Sequence, residues 1–317
     1  MNLLVTGGCG FIGSNFVKMV LESKRDAVNR VVNLDALTYA GSLENTKDFY
    51  DDEKYIFEEV DLCNAAALLR VFTQHEITHV VHLAAESHVD NSILDPSAFV
   101  DSNIVGTFNL LKMSRQFKIE RFHHVSTDEV YGELGDTGKF SETTAYDPRN
   151  PYSASKAASD FMVSAYYHTY KLPVTISNCS NNYGPMQHDE KFIPTVIRSL
   201  INKGKIPLYG AGLNVRDWIY VQDHCEGVWK VFTEGELGET YCIGANCEKK
   251  NVEVIETICS SMGADPAESI EHVTDRAGHD YRYAIDNTKI TEKLNWAPLV
   301  TFEEGIQKTI EWYNEKY

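Results

Sequence analysis

Basic residues are scarce in this chain: 29 Lys and Arg stand against 46 Asp and Glu, a formal net charge of −17. So acidic a surface is poorly suited to tracking a nucleic-acid backbone, where binding rests on cations laid along the phosphates. A phosphorylated small molecule remains compatible, since it needs only local donors and a helix N-terminus. The chain also lacks any apolar run near the roughly 20 residues that span a bilayer. Met1 to Gly7 shows no basic segment of the kind that opens a secretion signal, so a cytoplasmic protein is expected. Cys9, Cys63, Cys179, Cys225, Cys242, Cys247 and Cys259 form neither a Cys-x-x-Cys pair nor a zinc-like group with His. Buried, reduced thiols and no metal site follow. There is no internal repeat, no low-complexity segment and no linker.

What is present is a soluble globular composition, 43% hydrophobic over 317 residues, enough for one large domain or two ordinary ones. Asn2 to Thr6 reads as a strand, and Gly7-Gly8-Cys9-Gly10-Phe11-Ile12-Gly13 opens a helix running to about Leu21. Strand, glycine turn and helix are the setting of a dinucleotide site, where bare backbone lets a pyrophosphate settle on the helix N-terminus. The next strand, Arg30 to Leu34, delivers Asp35, 22 residues past Gly13. A carboxylate at that distance bonds ribose hydroxyls and repels a 2′-phosphate, which favours NAD over NADP. Further strands are expected at Ile56 to Val60, ending in Asp61-Leu62 beside the adenine, and at Thr78 to Leu83, ending in the small residues Ala84-Ala85. Between them Ala65 to Gln74 reads as a helix, and Asp95-Pro96 caps another that runs to about Phe117. Strands and helices alternate without a break, which implies an α/β, Rossmann-type doubly wound parallel sheet.

Two stretches carry chemistry. Phe122 to Val125 reads as a strand that hands on directly to Thr127-Asp128-Glu129, at the carboxyl edge where such sheets bind ligands. Pro151 then starts a helix with Tyr152 and Lys156 one turn apart on one face. A nearby ammonium, with the positive charge of the cofactor, lowers a tyrosine pKa toward neutrality, so Tyr152 is expected to serve as a base. Two adjacent carboxyls in different protonation states supply an acid and a base. Val174 to Asn178 is one more strand, after which loops, Pro and Gly increase and regular strands are expected to thin out. Lys191, Arg216, Arg276 and His279 offer donors for a diphosphate in that part. Phe302, Ile306, Ile310 and Tyr313 mark a closing, packed helix. The division expected is 1–178 for the cofactor and catalytic groups, and 179–317 for a smaller, discontinuous substrate-binding region.

These pieces together resemble the extended short-chain dehydrogenase/reductase family, and within it the dTDP-glucose 4,6-dehydratases. The resemblance rests on Thr6 to Asn15, Asp35 to Gly41, Ala84 to Asp90, Ser126 to Gly132, Pro151 to Lys156, Asn181 to Pro185, Arg216 to Trp218 and Asp275 to Asp280. It implies that Tyr152, aided by Lys156, takes the proton of a glucose 4-hydroxyl while C4 is oxidised by NAD. Glu129 would then remove the C5 proton, Asp128 would protonate the departing 6-hydroxyl, and Thr127 would hydrogen-bond the reacting oxygen. It further implies cofactor contacts at Gly7, Gly10, Phe11, Ile12 and Gly13, at Asp35, Ala36, Leu37 and Thr38, and at Asp61 and Leu62. Leu83, Ala84, Ala85, Ser102, Tyr152, Lys156 and Asn182 complete that set. Ser87, Asn181, Lys191, Phe192, Pro207, Tyr209, Arg216, Asn251, Arg276 and His279 would face the sugar nucleotide. A homodimer through the helices following Pro96 and Pro151 is implied as well.

The chain departs from the family pattern at four places. Cys9 stands where Ala is usual and is expected to crowd the pyrophosphate or add redox sensitivity. Ala36 replaces a common Lys, and Asn91 resembles the UDP-glucose enzymes. Met186-Gln187-His188-Asp189 replaces an aromatic and proline approach to Glu190-Lys191, near the nucleotide. The rival readings are a UDP-glucose 4,6-dehydratase, a 4-epimerase, which has no use for Asp128-Glu129, and a non-catalytic NAD-binding sensor, which would have lost some of these groups.

Overall fold

The computed structural model describes residues 1–274 and 280–317. Its centre is a seven-stranded parallel sheet. Strands β1 (Asn2–Thr6), β2 (Arg30–Asp35), β3 (Tyr55–Glu59), β4 (His79–His82), β5 (Arg121–Thr127) and β6 (Val174–Cys179) lie in the order β3-β2-β1-β4-β5-β6. Thr240–Ile243 returns from late in the chain to pair beside β6. The strands are short, and all but the edge strand β3 are buried on nearly every residue, as a parallel sheet covered by helices demands. Leu3, Val5 and Val31 pack toward the helices Phe11–Ser23 and Val221–Glu234; Leu4, Val32 and Val80 pack toward Ala65–His75 and Thr107–Gln116. Strand order reverses direction between β1 and β4, which opens a crevice at their carboxyl ends.

Local signals set the helix ends. Asn150 and Ser153 form a reciprocal capping box around Pro151, which starts the helix Pro151–Tyr170. Asn64 caps Ala65–His75 through Ala67 N, and Thr301 with Glu304 boxes Phe302–Lys316. The single helix expected after Asp95-Pro96 is more divided than its sequence suggests. A separate helix, Val89–Leu94, precedes it, and Ser97–Phe99 runs into a π-helical stretch, Val100–Gly106, before α-geometry resumes at Thr107–Gln116. The wider turn presents Asn103 to the interior. Its Oδ1 accepts from Glu86 N at 2.8 Å, and its Nδ2 donates to Glu86 O at 3.0 Å and Ser155 Oγ at 2.8 Å. Asp95 still supports the turn, accepting from Ser97 N at 2.9 Å.

Beyond β6 the chain keeps more strand than its loop-rich sequence suggests. Val215–Tyr220 pairs antiparallel with Glu248–Lys250 and parallel with Asn181–Tyr183, and Ile206–Tyr209 pairs parallel with Ile270–Val273. Most of these strands have only three or four residues, too short to show a period of two. A third core holds them: Ile193, Val196 and Ile197 meet Val254, Ile258, Ile306 and Tyr313, all essentially inaccessible to water. The closing helix expected from Phe302 is present as Phe302–Lys316, with Phe302, Ile306, Ile310 and Tyr313 buried. No helix of the described residues is long and apolar enough to cross a membrane.

Candidate active site

A cleft of about 520 Å³ lies over the carboxyl ends of β1, β2, β4, β5 and β6. Gly7, Gly10, Phe11, Ile12 and Gly13 form its floor. At Gly7, φ is +74°, and a Cβ would sit 2.7 Å from the Ala84 backbone, so only glycine brings the two strand ends this close. Asp35, Ala36 and Thr38 line one end, Asp61 and Leu62 the wall beside it, and Leu83, Ala84, Ala85 and Ser102 the opposite wall. Asp35 accepts backbone N–H groups on both oxygens, from Cys9 at 2.9 Å and Leu37 at 2.8 Å. Each oxygen keeps a lone pair for a ribose hydroxyl. Leu37 turns away: it adopts φ of 51° and serves Asp35 through its backbone rather than lining the cleft. A glycine floor at a helix N-terminus with an acceptor across it fits a dinucleotide.

The chemical groups meet at the other end. β5 runs through Ser126 to Thr127, and Asp128–Tyr131 then makes one 3-10 turn, held by the Thr127 hydroxyl accepting from Glu129 N at 3.3 Å. Asp128 is 2% exposed, Oδ2 has no hydrogen-bond partner, and Oδ1 accepts weakly from Thr127 Oγ1 at 3.4 Å. Burial, then the neighbouring Glu129 and Asp217 charges, push the Asp128 carboxyl well above the usual range. Burial raises Glu129 too, but Arg216 and Lys191 pull it back. The pair is therefore graded, with Asp128 the group that holds a proton. Tyr152 and Lys156 line the same cleft from the Pro151–Tyr170 helix, with Lys156 Nζ donating to Val125 O at 2.9 Å.

At Tyr152 the protein itself supplies only one of the two expected charges, the Lys156 ammonium. Burial and then the charge of Glu129 push its phenol well above 10 rather than toward neutrality. Burial also lowers Lys156, so the pair alone does not make the phenol acidic.

The remaining expected positions divide. Ser87, Asn181, Asn182 and Lys191 line the cleft, with Lys191 Nζ donating to Ser87 O at 3.1 Å. Phe192, Pro207, Tyr209, Arg216 and Asn251 lie outside its wall. Phe192 stacks on Trp218 with centroids 6.2 Å apart, Pro207 and Tyr209 sit in a two-stranded sheet, and Asn251 starts a helix. Arg216 donates to the carbonyls of Val215 and Asp280 and lies 4.3 Å over the Tyr283 ring, yet its charge reaches both catalytic carboxyls. Arg276 and His279 lie outside the described residues.

Two expectations about cysteine also change. Cys9 is fully buried and takes a hydrogen bond from Asn33 Nδ2, so its side chain points into the core rather than at a pyrophosphate. Burial raises its thiol to about 12, which removes the proposed redox sensitivity. Cys63, by contrast, is exposed and lines the cleft. The cleft also takes in Tyr39, Gln187 and His188, which were not among the expected contacts. Tyr39 and His188 meet edge to face at 5.7 Å; the signal for Tyr39 is the Asp35–Gly41 stretch, and for Gln187 and His188 the unusual Met186–Asp189 segment. Among the described residues no group of three or more His, Cys, Asp or Glu is placed to hold a metal ion.

Comparison with known proteins agrees with this geometry. The family model described as GDP-mannose 4,6 dehydratase matches residues 4–309. The dTDP-glucose 4,6-dehydratase of Shigella flexneri is 50% identical over 99% of this chain and 92% of its own length. The solved dTDP-glucose 4,6-dehydratase DesIV of Streptomyces venezuelae, with NAD and dTDP bound, superposes with a TM-score of 0.96 at 44% identity, covering 99% of this chain and 97% of that one. The Bacillus anthracis dTDP-glucose 4,6-dehydratase in complex with NAD gives 0.92 at 45% identity over the same shares.

Proposed function

The chain belongs to the family described as GDP-mannose 4,6 dehydratase and, within it, to the dTDP-glucose 4,6-dehydratases, and from that premise we propose how its side chains divide the reaction. It converts dTDP-glucose to dTDP-4-keto-6-deoxyglucose with loss of one water. The observation that carries the residue assignment is the meeting of Thr127-Asp128-Glu129 with Tyr152 and Lys156 in the cleft that has the glycine floor. NAD, when bound, accepts hydride from C4 of the sugar and returns it to C6. Gly7, Gly10 and Gly13 cradle its pyrophosphate and Asp35 holds its ribose hydroxyls.

Tyr152 takes the 4-hydroxyl proton, with the cofactor's positive charge supplementing Lys156 to make the phenolate accessible. The ketone so formed acidifies the C5 proton, which Glu129 removes. Asp128, the protonated member of the pair, passes its proton to the 6-hydroxyl as it leaves as water. Glu129 then gives a proton back to C5. Thr127 orients the reacting oxygen, and Lys191 with Arg216 offsets the diphosphate and the carboxyl charges. In this reading residues 1–178 serve mainly the cofactor and 179–317 mainly the sugar nucleotide, with the strand Thr240–Ile243 returning to the first sheet.

We place the enzyme in the cytoplasm, which suits seven free cysteines, and read it as a homodimer. Exposed Val100, Val105 and Phe108 precede or lie on Thr107–Gln116, and Phe161, 63% exposed, lies on Pro151–Tyr170, apolar side chains that a second copy would cover. The direct test is to incubate the purified protein separately with dTDP-glucose and UDP-glucose and follow product mass. Loss of one water from dTDP-glucose is expected; loss only from UDP-glucose changes the nucleobase from thymine to uracil and points at the Met186–Asp189 segment as its reader, and no loss from either overturns the function.

A further inference from the structure

Lys156 is 4% exposed, and a buried ammonium loses its proton unless an opposite charge holds it. Its Val125 carbonyl partner contributes only a dipole. One turn further along the same helix face, in the direction away from Tyr152, stands Asp160, 2% exposed. We propose that Asp160 is a positioning residue that keeps Lys156 charged and ties that charge to the backbone carrying Thr127. The inference rests on the catalytic role given to the Tyr152–Lys156 pair above.

The carboxylate is built in from several elements. Its Oδ2 accepts from Ser126 Oγ on β5 at 2.8 Å, from Tyr146 OH in the loop before the helix at 2.9 Å, and from Asn178 Nδ2 on β6 at 3.4 Å. Asn178 Nδ2 also donates to the Thr127 carbonyl at 3.1 Å, so one amide joins Asp160 to the peptide that starts the catalytic turn. Oδ1 lies 3.1 Å from His124 Nε2, off the line of a hydrogen bond. Three donors on Oδ2 describe an acceptor in its ionised form. The titratable groups around it are Lys156 on its own helix, His124 on β5, Tyr146 and Tyr131 on the loops, and Cys242 at the sheet edge, whose thiol stands near both tyrosines. Burial keeps the His124 ring neutral, leaving Lys156 as the cation. Asp160 is the strongest charge acting on that ammonium, and it acts to keep the proton on; burial in turn lifts Asp160 to about 6. Asp160 does not itself line the cleft and meets its wall only from behind, through Ser126, so it acts on Lys156 and not on substrate.

The substitution that separates charge from structure is Asp160→Asn, which keeps the shape and an acceptor oxygen but removes the charge. Lysine can be labelled with ¹³C at Cε in the holoenzyme and the Lys156 resonance assigned by its loss in Lys156→Met. In Asp160→Asn that resonance is expected to titrate at a pH lower by about one unit or more. The alkaline limb of the kcat profile should move down with it while KM changes less than about threefold. Asp160→Ser, which removes the same charge with a smaller side chain, is expected to move both in the same direction and serves if Asp160→Asn does not fold. An unchanged Lys156 titration in a folded variant overturns the proposal. A parent enzyme that releases no water from either sugar nucleotide overturns the function instead, and the lysine titration still reads Asp160.

Discussion

At Asp128, burial and the charge of Glu129 act in the same direction, and the result is a carboxyl that the folded protein protonates more readily than the unfolded chain. Such a group stabilises the fold least where it is most useful. Its contribution is fully present below the unfolded value of about 4 and is lost as pH rises toward the higher folded value, because ionising it in place is costly. Asp128→Asn has no proton to lose. Its melting temperature should therefore gain on the parent, and the gain should be larger at pH 8 than at pH 4; calorimetry showing the same difference at both values would contradict the assignment. The same substitution should lower water loss by roughly 10² or more, the usual scale for removing a positioned acid. Tyr152 shows the limit of reading chemistry from spacing. Its spacing from Lys156 puts both on one helix face, but the direction of its pKa also depends on burial, on Glu129 from the turn after β5 and on the charge of the cofactor.

Among the elements, those with strong local signals were legible. Pro151 as a helix start, Asp95-Pro96 and the glycine turn after β1 each mark a helix end by chemistry within a few residues. The π-helical stretch Val100–Gly106 was not, because an Asn103 clamp on Glu86 decides it and that partner lies 17 residues away. The three- and four-residue strands after residue 180 were hidden for a related reason: they exist through pairing, not through periodicity. The closing helix, read from its apolar spacing, offers a stability test. Ile306 is fully buried between this helix and the third core, so Ile306→Ala should cost about 2–5 kcal/mol in chemical denaturation. A loss below about 1 kcal/mol would mean the helix packs less tightly than described.

For the whole molecule, the site is assembled from strand ends far apart in sequence. Gly7, Asp35, Ala84, Thr127 and Asn181 reach one cleft because parallel order puts every carboxyl end on the same edge. That much followed from alternation of strands and helices. The influence of Arg216 on Asp128 and Glu129 did not, since it passes from a small second sheet outside the cleft wall. The proposed homodimer belongs to this scale too. Phe161→Glu places a charge in the middle of the apolar face and should shift sedimentation toward the monomer; a parent already monomeric would remove the dimer reading.

Oxidation at C4, loss of water and reduction at C6 happen within one active site, with only C5 exchanging protons through Glu129. The most direct measurement is to run dTDP-glucose to completion in D₂O without added NAD and locate deuterium in the product by NMR. Deuterium at C5 alone, with C6 carrying the hydrogen that left C4, is the predicted result. Solvent deuterium at C6, or none at C5, would contradict it.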